Sequence, residues 1–202
     1  GLSASIRARH DLSALSAERI GQELRKLVVA PGAAAPGALM QESGILPLVI
    51  AGVADLAGFA RLAAFEKEAG LAPEVPVRLA AMGVRIEEDA LRLTQRLRLS
   101  NAERDRMLAM LAALPVVAAS HGERSDRAAL YRLGNPAFAD GLRLAVARGL
   151  VPPADARRRL ALPEKWQVPR FPLSGRDAMM LGIPKGPAIG ILLRQLEGWW
   201  IA

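Results

Sequence analysis

Cysteine is absent from this chain of 202 residues, which excludes disulfide frameworks, thiolate zinc sites and cysteine nucleophiles. Aromatic residues make up only 4 % of it. With β-branched residues scarce as well, the material that fills strands is missing. No apolar run reaches the ~20 residues of a membrane span; the longest, 45–60, is interrupted by Pro47, Gly52 and Asp55. No signal-peptide pattern follows Gly1, so the expectation is a cytoplasmic protein with no membrane partner. Missing too are an Asp-x-Asp pair, a Walker loop and a Gly-x-Ser-x-Gly elbow, the usual carriers of metal-assisted transfer, phosphate cradling and acyl chemistry. The two histidines, His10 and His121, lie far apart in breaker-rich contexts and read as loop residues. No catalytic residue and no metal site is expected.

What is present is alanine, leucine and arginine. Hydrophobic residues make up 51 % of the chain, a mix that favours helices. The net charge is +7, and 23 of the 27 basic residues are arginine. Guanidinium groups suit bidentate phosphate contacts, so the balance is compatible with a nucleic-acid partner. An alanine- and arginine-rich composition also follows from a GC-rich genome, and charge alone does not choose.

The segments read as helices between short breakers, with no strand and no fixed-period repeat. Ser16 caps a helix reaching about Ala30, with Ile20, Leu24, Leu27 and Val28 on one face. Residues 31–37 (PGAAAPG) read as a linker or sharp turn. Short helices are predicted over 38–43 and 46–51, a longer one over 54–69 ending at Gly70, and another over 77–82. Ile86, Ala90, Leu93 and Leu97 mark the next. Ser100 and Glu103 form a capping box, and Pro115 is expected to end or kink the helix it opens. Asn135 reads as an N-cap before Pro136 at N1, with Gly149 closing that helix. Residues 152–160 are predicted helical and 162–173 extended. The expected fold class is all-α: a multi-helix array ending in a helical hairpin, with no sheet.

That hairpin is the most informative stretch. Residues 171–201 read as a short helix, a turn (Gly182-Ile183-Pro184-Lys185-Gly186-Pro187) and an amphipathic helix carrying Ile189, Leu192, Leu193, Leu196, Trp199 and Trp200. Gly182 and Gly186 are expected at positive φ or at a close backbone approach. A glycine-rich turn feeding a helix N-terminus, with Lys185 inside it, suits a phosphate oxygen. A plain helical hairpin whose glycines only make the turn is the alternative.

Two basic clusters invite the same two readings. Arg85, Arg92 and Arg96 fall within ~40° on a helical wheel, with Arg98 and Arg104 nearby. Glu88 and Asp89 precede Arg92 by four and three residues, so an ion-paired solvated face competes with a phosphate-binding stripe. Glu87-Glu88-Asp89 at a helix start answers the dipole more readily than a metal. Arg157-Arg158-Arg159 spreads around its helix and reads as solvated surface.

Four stretches carry a family likeness. Residues 16–27 (SAERIGQELRKL) resemble the neck motif SAERI-x-x-EL-x-KL, and residues 37–46 (GALMQESGIL) a following ALM-x-x-x-GIL element. Residues 97–104 (LRLSNAER) are similar to a body segment RLRLSN-x-E, and residues 172–200 to the tail of alphaproteobacterial members. Together they resemble the neck, body and tail of the bacterial tRNA nucleotidyltransferase / poly(A) polymerase family, the class II CCA-adding enzymes. The resemblance implies a latter neck over 1–36, a helical body over 37–150 and a tail over 151–202. It implies that Glu18, Arg19 and Glu23 play a structural neck role, and that body and tail cradle tRNA by its backbone. The family's catalytic head, with its Gly-Gly loop, Asp-x-Asp and Arg-Arg-Asp motifs, has no counterpart in this sequence, and the Glu-Asp-x-x-Arg element of the family's neck is not found within residues 1–36. The chain is therefore expected to bind tRNA or other RNA without catalysis of its own, and to partner a head that uses Mg²⁺ with CTP or ATP. The phosphate contacts expected are Arg92, Arg96, Arg98, Arg176, Lys185, Gly186 and Arg194. The competing expectation is a stand-alone helical interaction module, possibly a homodimer joined through the Trp199/Trp200 end.

Overall fold

The computed structural model describes residues 16–201, and the chain is all-α: no strand occurs among the described residues. Helix α1 (Ala17–Val29) begins where the Ser16 side chain accepts a hydrogen bond from the Arg19 N–H at 3.2 Å. It buries Ile20, Gly21, Leu24 and Val28. Gly21 is there because nothing larger fits: a Cβ would lie 2.0 Å from the Leu97 carbonyl oxygen. Helix α2 (Ala34–Glu42) starts inside PGAAAPG, three residues before the end of the expected linker. Pro36 sits in its first turn, where a missing N–H costs no bond. Helices α3 (Ile45–Ile50) and α4 (Leu56–Ala69) follow; Asp55 caps α4 through Gly58 N–H at 2.7 Å, and Gly70 ends it at φ 66°.

Helix α5 (Val75–Gly83) is buried from Pro76 to Gly83. It forms the centre around which α1, α4, α6 (Glu87–Leu97), α7 (Asn101–Ala119) and α8 (Glu123–Ala147) pack. Their shared core includes Phe59, Phe65, Val77, Met82, Leu93, Met107 and Phe138. The Ser100–Glu103 capping box opens α7 as expected, with Ser100 N–H on Glu103 Oε2 at 2.7 Å and Glu103 N–H on Ser100 Oγ at 3.2 Å.

Two proline expectations need correction. Pro115 does not end its helix, which continues to Ala119; only the ending, of the two outcomes expected there, is overturned. Pro115 is on the exposed side, while Met110, Ala113 and Val117 on the other hold the helix against its neighbours. In α8 the break falls at Gly134, at φ 73° and ψ 162°, one residue before the expected cap. Glycine alone takes that conformation without strain, so Asn135 and Pro136 open the second segment.

Helix α9 (Pro153–Leu160) matches expectation. The stretch read as wholly extended instead starts with one more helical turn, α10 (Leu162–Lys165), before residues 166–173 run as a connector without helix or strand, Trp166 at its start being extended. Proline at the second position of α10 fits a first turn, which is why it does not forbid it. Helices α11 (Gly175–Met180) and α12 (Pro187–Trp200) form the terminal hairpin, burying Ala178 and Ile189. No helix among the described residues is long and apolar enough to cross a membrane.

Candidate nucleic-acid interface

The arginines of the α6 stripe are engaged within the chain. Arg92 is half-buried, its Nη1 2.6 Å from Asp89 Oδ1, and its guanidinium fills the space a Cβ on Gly52 would take. Arg96 donates to the carbonyls of Leu48 (2.9 Å) and Val49 (3.3 Å), two of the groups the end of α3 leaves without helical partners. Arg98 closes α6 at φ 50°, accepts at its carbonyl from Arg25 Nη2 (3.3 Å), and pairs with Glu18 at 3.3 Å. Arg85 reaches Asp55 at 2.7 Å. The stripe therefore ties α1, α3, α4 and α6 together.

Around the neck motif, the Glu18 carboxyl is held below its usual range by a backbone N–H and the Ser16 hydroxyl. Arg19 and Glu23 are exposed, and Glu23 pairs with Lys26 at 2.9 Å. Of the arginine triplet, Arg157 and Arg158 are exposed, but Arg159 is only 1 % exposed, which corrects the solvated reading. Its Nε lies 2.8 Å from the equally buried Asp126, which also accepts from Ser120 Oγ at 2.7 Å, and its Nη2 donates to the Val117 carbonyl at 2.9 Å. A second buried network joins Glu66 to Arg78 and Arg143, Arg143 to Glu74, and Arg106 to both Glu74 and Asp140. Every acid in it already faces a guanidinium. Among the described residues no group of three or more His, Asp or Glu could hold a metal ion. His121 is exposed, and His10 lies outside the described residues.

In the tail, Gly182 takes φ 85° as expected, whereas Gly186 at φ 167° is extended backbone that any residue adopts. Pro187 opens α12. Arg176, Lys185, Gly186 and Arg194 are all exposed, and the three cations make no ion pair among the described residues. The structure thus leaves the tail cations outward and unpaired and turns Arg92 and Arg96 onto partners within the chain, while Arg98 stays exposed although it pairs with Glu18.

Sequence reasoning missed the surface that meets Arg194. An open groove of about 560 Å³ runs between the first half of α8, the connector and the end of α12. Arg124, Arg127, Tyr131, Trp166, Pro169 and Trp200 line it. The Arg127 guanidinium lies over the Trp166 ring, 5.6 Å from its centre, and pairs with Glu123. The Tyr131 hydroxyl donates to the Glu197 carboxylate, a bond that raises its pKa and fixes the ring edge-on to Trp200 at 5.8 Å. Phe171 meets the same indole edge-on at 5.6 Å. A neighbouring hollow is lined by Tyr131, Arg132, Arg194 and Glu197, and another by His121, Arg124 and Arg132. Arg124 and Arg132 are exposed and make no hydrogen bond or ion pair among the described residues. Helical spacing carried part of this signal, since Arg124, Ala128, Tyr131 and Arg132 recur at i, i+4, i+7 and i+8. Trp166 and Trp200 arrive only through the tertiary fold.

Comparison with known proteins adds a short but pointed likeness. No protein-family model matches the chain. Over 37 residues it is 49 % identical to "CCA tRNA nucleotidyltransferase 1, mitochondrial" of Mus musculus, and 46 % identical to the protein of that name from Homo sapiens. Over 36 residues it is 44 % identical to that of Danio rerio. The matched stretch is 18 % of this chain and spans 8 % of the length of each of those proteins. Over that stretch, the chain is similar to the CCA tRNA nucleotidyltransferases.

Proposed function

We propose that this chain is the RNA-holding helical part of a tRNA nucleotidyltransferase, of the CCA-adding or poly(A)-adding kind. It grips tRNA by its sugar–phosphate backbone and reads little or no sequence. Transfer of CMP or AMP from CTP or ATP with Mg²⁺ belongs to a separate catalytic head; the acids of the two buried networks, Glu66, Glu74, Asp126 and Asp140, are committed to guanidinium groups, and no step of that chemistry is assigned to them. The observation that carries the reading is the line of unpaired, exposed arginines, Arg124, Arg132 and Arg194, beside exposed aromatic rings. Cations without internal partners are the ones free to displace counterions from phosphate. Arg176 and Lys185 are further exposed, unpaired cations of the tail, and the short similarity to CCA tRNA nucleotidyltransferases supports the choice of tRNA. The test is an electrophoretic shift with bulk tRNA between about 50 and 200 mM salt, where the logarithm of affinity should fall linearly with the logarithm of salt. No shift at the lower salt sinks the reading.

A second reading has its own observation. Met180 and Leu181 at the end of α11 and Trp199 near the end of α12 are each 80–83 % exposed, apolar surface that a protein partner or a second copy would cover. A concentration-dependent dimer in sedimentation, with no tRNA shift, would favour it.

A further inference from the structure

We infer that the groove between α8 and the tail seats an unpaired RNA base. The inference rests on the tRNA-holding reading and adds what part of the RNA enters this groove. Its walls are flat: the Arg127 guanidinium over Trp166 on one side, and Trp200, braced edge-on by Tyr131 and Phe171, on the other. Stacking on aromatic rings and guanidinium planes is how proteins hold bases that have left a helix. A duplex offers such a groove only its sugar–phosphate edges. At about 560 Å³ the groove falls within the ~300–1,000 Å³ range of small-ligand sites.

The charge pattern agrees. Of the acids at the groove, Glu123 is paired with Arg127 and Glu197 is tied to the Tyr131 hydroxyl. Arg124 on the rim and Arg132 beside it remain to take the phosphates flanking the seated base. Five of the chain's eight aromatic residues, Tyr131, Trp166, Phe171, Trp199 and Trp200, belong to α8 and the tail, whereas Phe59, Phe65 and Phe138 fill the core. Trp166 packs against the core, but core packing does not account for the indoles at the end of α12, because Trp199 is 80 % exposed and Trp200 37 %.

All three tryptophans, Trp166, Trp199 and Trp200, are in the tail, so intrinsic tryptophan fluorescence reports on this region alone. The experiment titrates the intact chain with a short single-stranded RNA, with the same sugar–phosphate chain lacking bases, and with an RNA duplex. The single strand should quench the fluorescence and bind about tenfold more tightly than the baseless chain. The duplex should bind with little quenching. Trp200→Ala should abolish the preference for the single strand and leave duplex affinity unchanged, which also shows that the variant is folded. Equal affinity for the intact and baseless strands, with duplex or tRNA still bound, overturns the seated base and spares the tRNA-holding reading. Failure of every RNA to bind removes both, and a dimer that buries Trp200 assigns the groove to protein.

Discussion

Arg25 and Glu103, 78 positions apart in the chain, meet through two hydrogen bonds, Nε to Oε1 at 3.1 Å and Nη2 to Oε2 at 2.9 Å. The bidentate pair fastens α1 to the start of α7 while the same carboxylate completes the Ser100 cap. The Arg25 guanidinium, opposed by partial burial and helped by the Ser100 N–H and hydroxyl, lowers the Glu103 carboxyl from its usual 4.5 to about 2. Glu74 is lowered to about 2 as well, chiefly by Arg106. Both acids bind protons more readily when unfolded, so their contribution to stability is full above pH ~4.5 and is lost as pH falls toward ~2. Urea midpoints measured across that window should decline steeply. Glu103→Gln should flatten the decline and cost about 1–3 kcal/mol at neutral pH; an unchanged pH profile would show that the pair does not hold in solution.

The buried network should be far less forgiving. Glu66 is 1 % exposed and accepts from both Arg78, at 2.5 Å, and Arg143. Glu66→Gln leaves two guanidinium groups in the interior with no negative charge between them, a loss of about 3–5 kcal/mol. The exposed pair Glu123–Arg127 is the contrast, because solvent screens it: Glu123→Gln should change stability by less than about 1 kcal/mol. Urea unfolding of both variants checks the ranking.

Local rules carried the helices because the residues concerned act locally. Ser16, Asp55 and Ser100 bond to the N–H three residues on, and Gly70 ends a helix by its own backbone conformation. Pro115 misled because packing by Met110, Ala113 and Val117, which no local window contains, outweighs one lost hydrogen bond. The same limit governs the candidate site. A helical wheel aligned Arg92 with Arg96 but could not place the α3 carbonyls and Gly52 opposite them. Arg159 looked like surface until Asp126 was brought beneath it. Tyr131, Trp166 and Trp200 converge from segments up to 69 positions apart, a juxtaposition that only the completed fold creates.

Gly21 marks how closely α1 approaches α6. An added Cβ would lie 2.0 Å from the Leu97 oxygen and 2.9 Å from its carbonyl carbon, both backbone atoms that cannot rotate aside. Gly21→Ala must therefore push the helices apart, against the ~1 kcal/mol that alanine gains in helix propensity. A net loss of about 1–3 kcal/mol is expected. Thermal or urea unfolding decides it, and a stabilised variant would mean that α1 sits farther from α6 than described.

The sharpest division concerns arginines that sequence alone treats alike. Arg96 binds the carbonyls of Leu48 and Val49, so Arg96→Ala should lower stability by about 1–3 kcal/mol and leave the salt dependence of tRNA binding unaltered. Arg132 and Arg194 have no such internal duty. Arg132→Ala and Arg194→Ala should leave the unfolding midpoint where it is, weaken binding about equally for all tRNAs, and lower the salt slope by about one each. Lys185→Ala should behave as they do if the Gly182–Pro187 turn meets phosphate, and like an inert surface change if the turn only reverses the chain. A normal salt slope in the Arg132 and Arg194 variants, with a reduced slope in Arg96→Ala, would move the RNA from the α8–tail face to the α6 stripe.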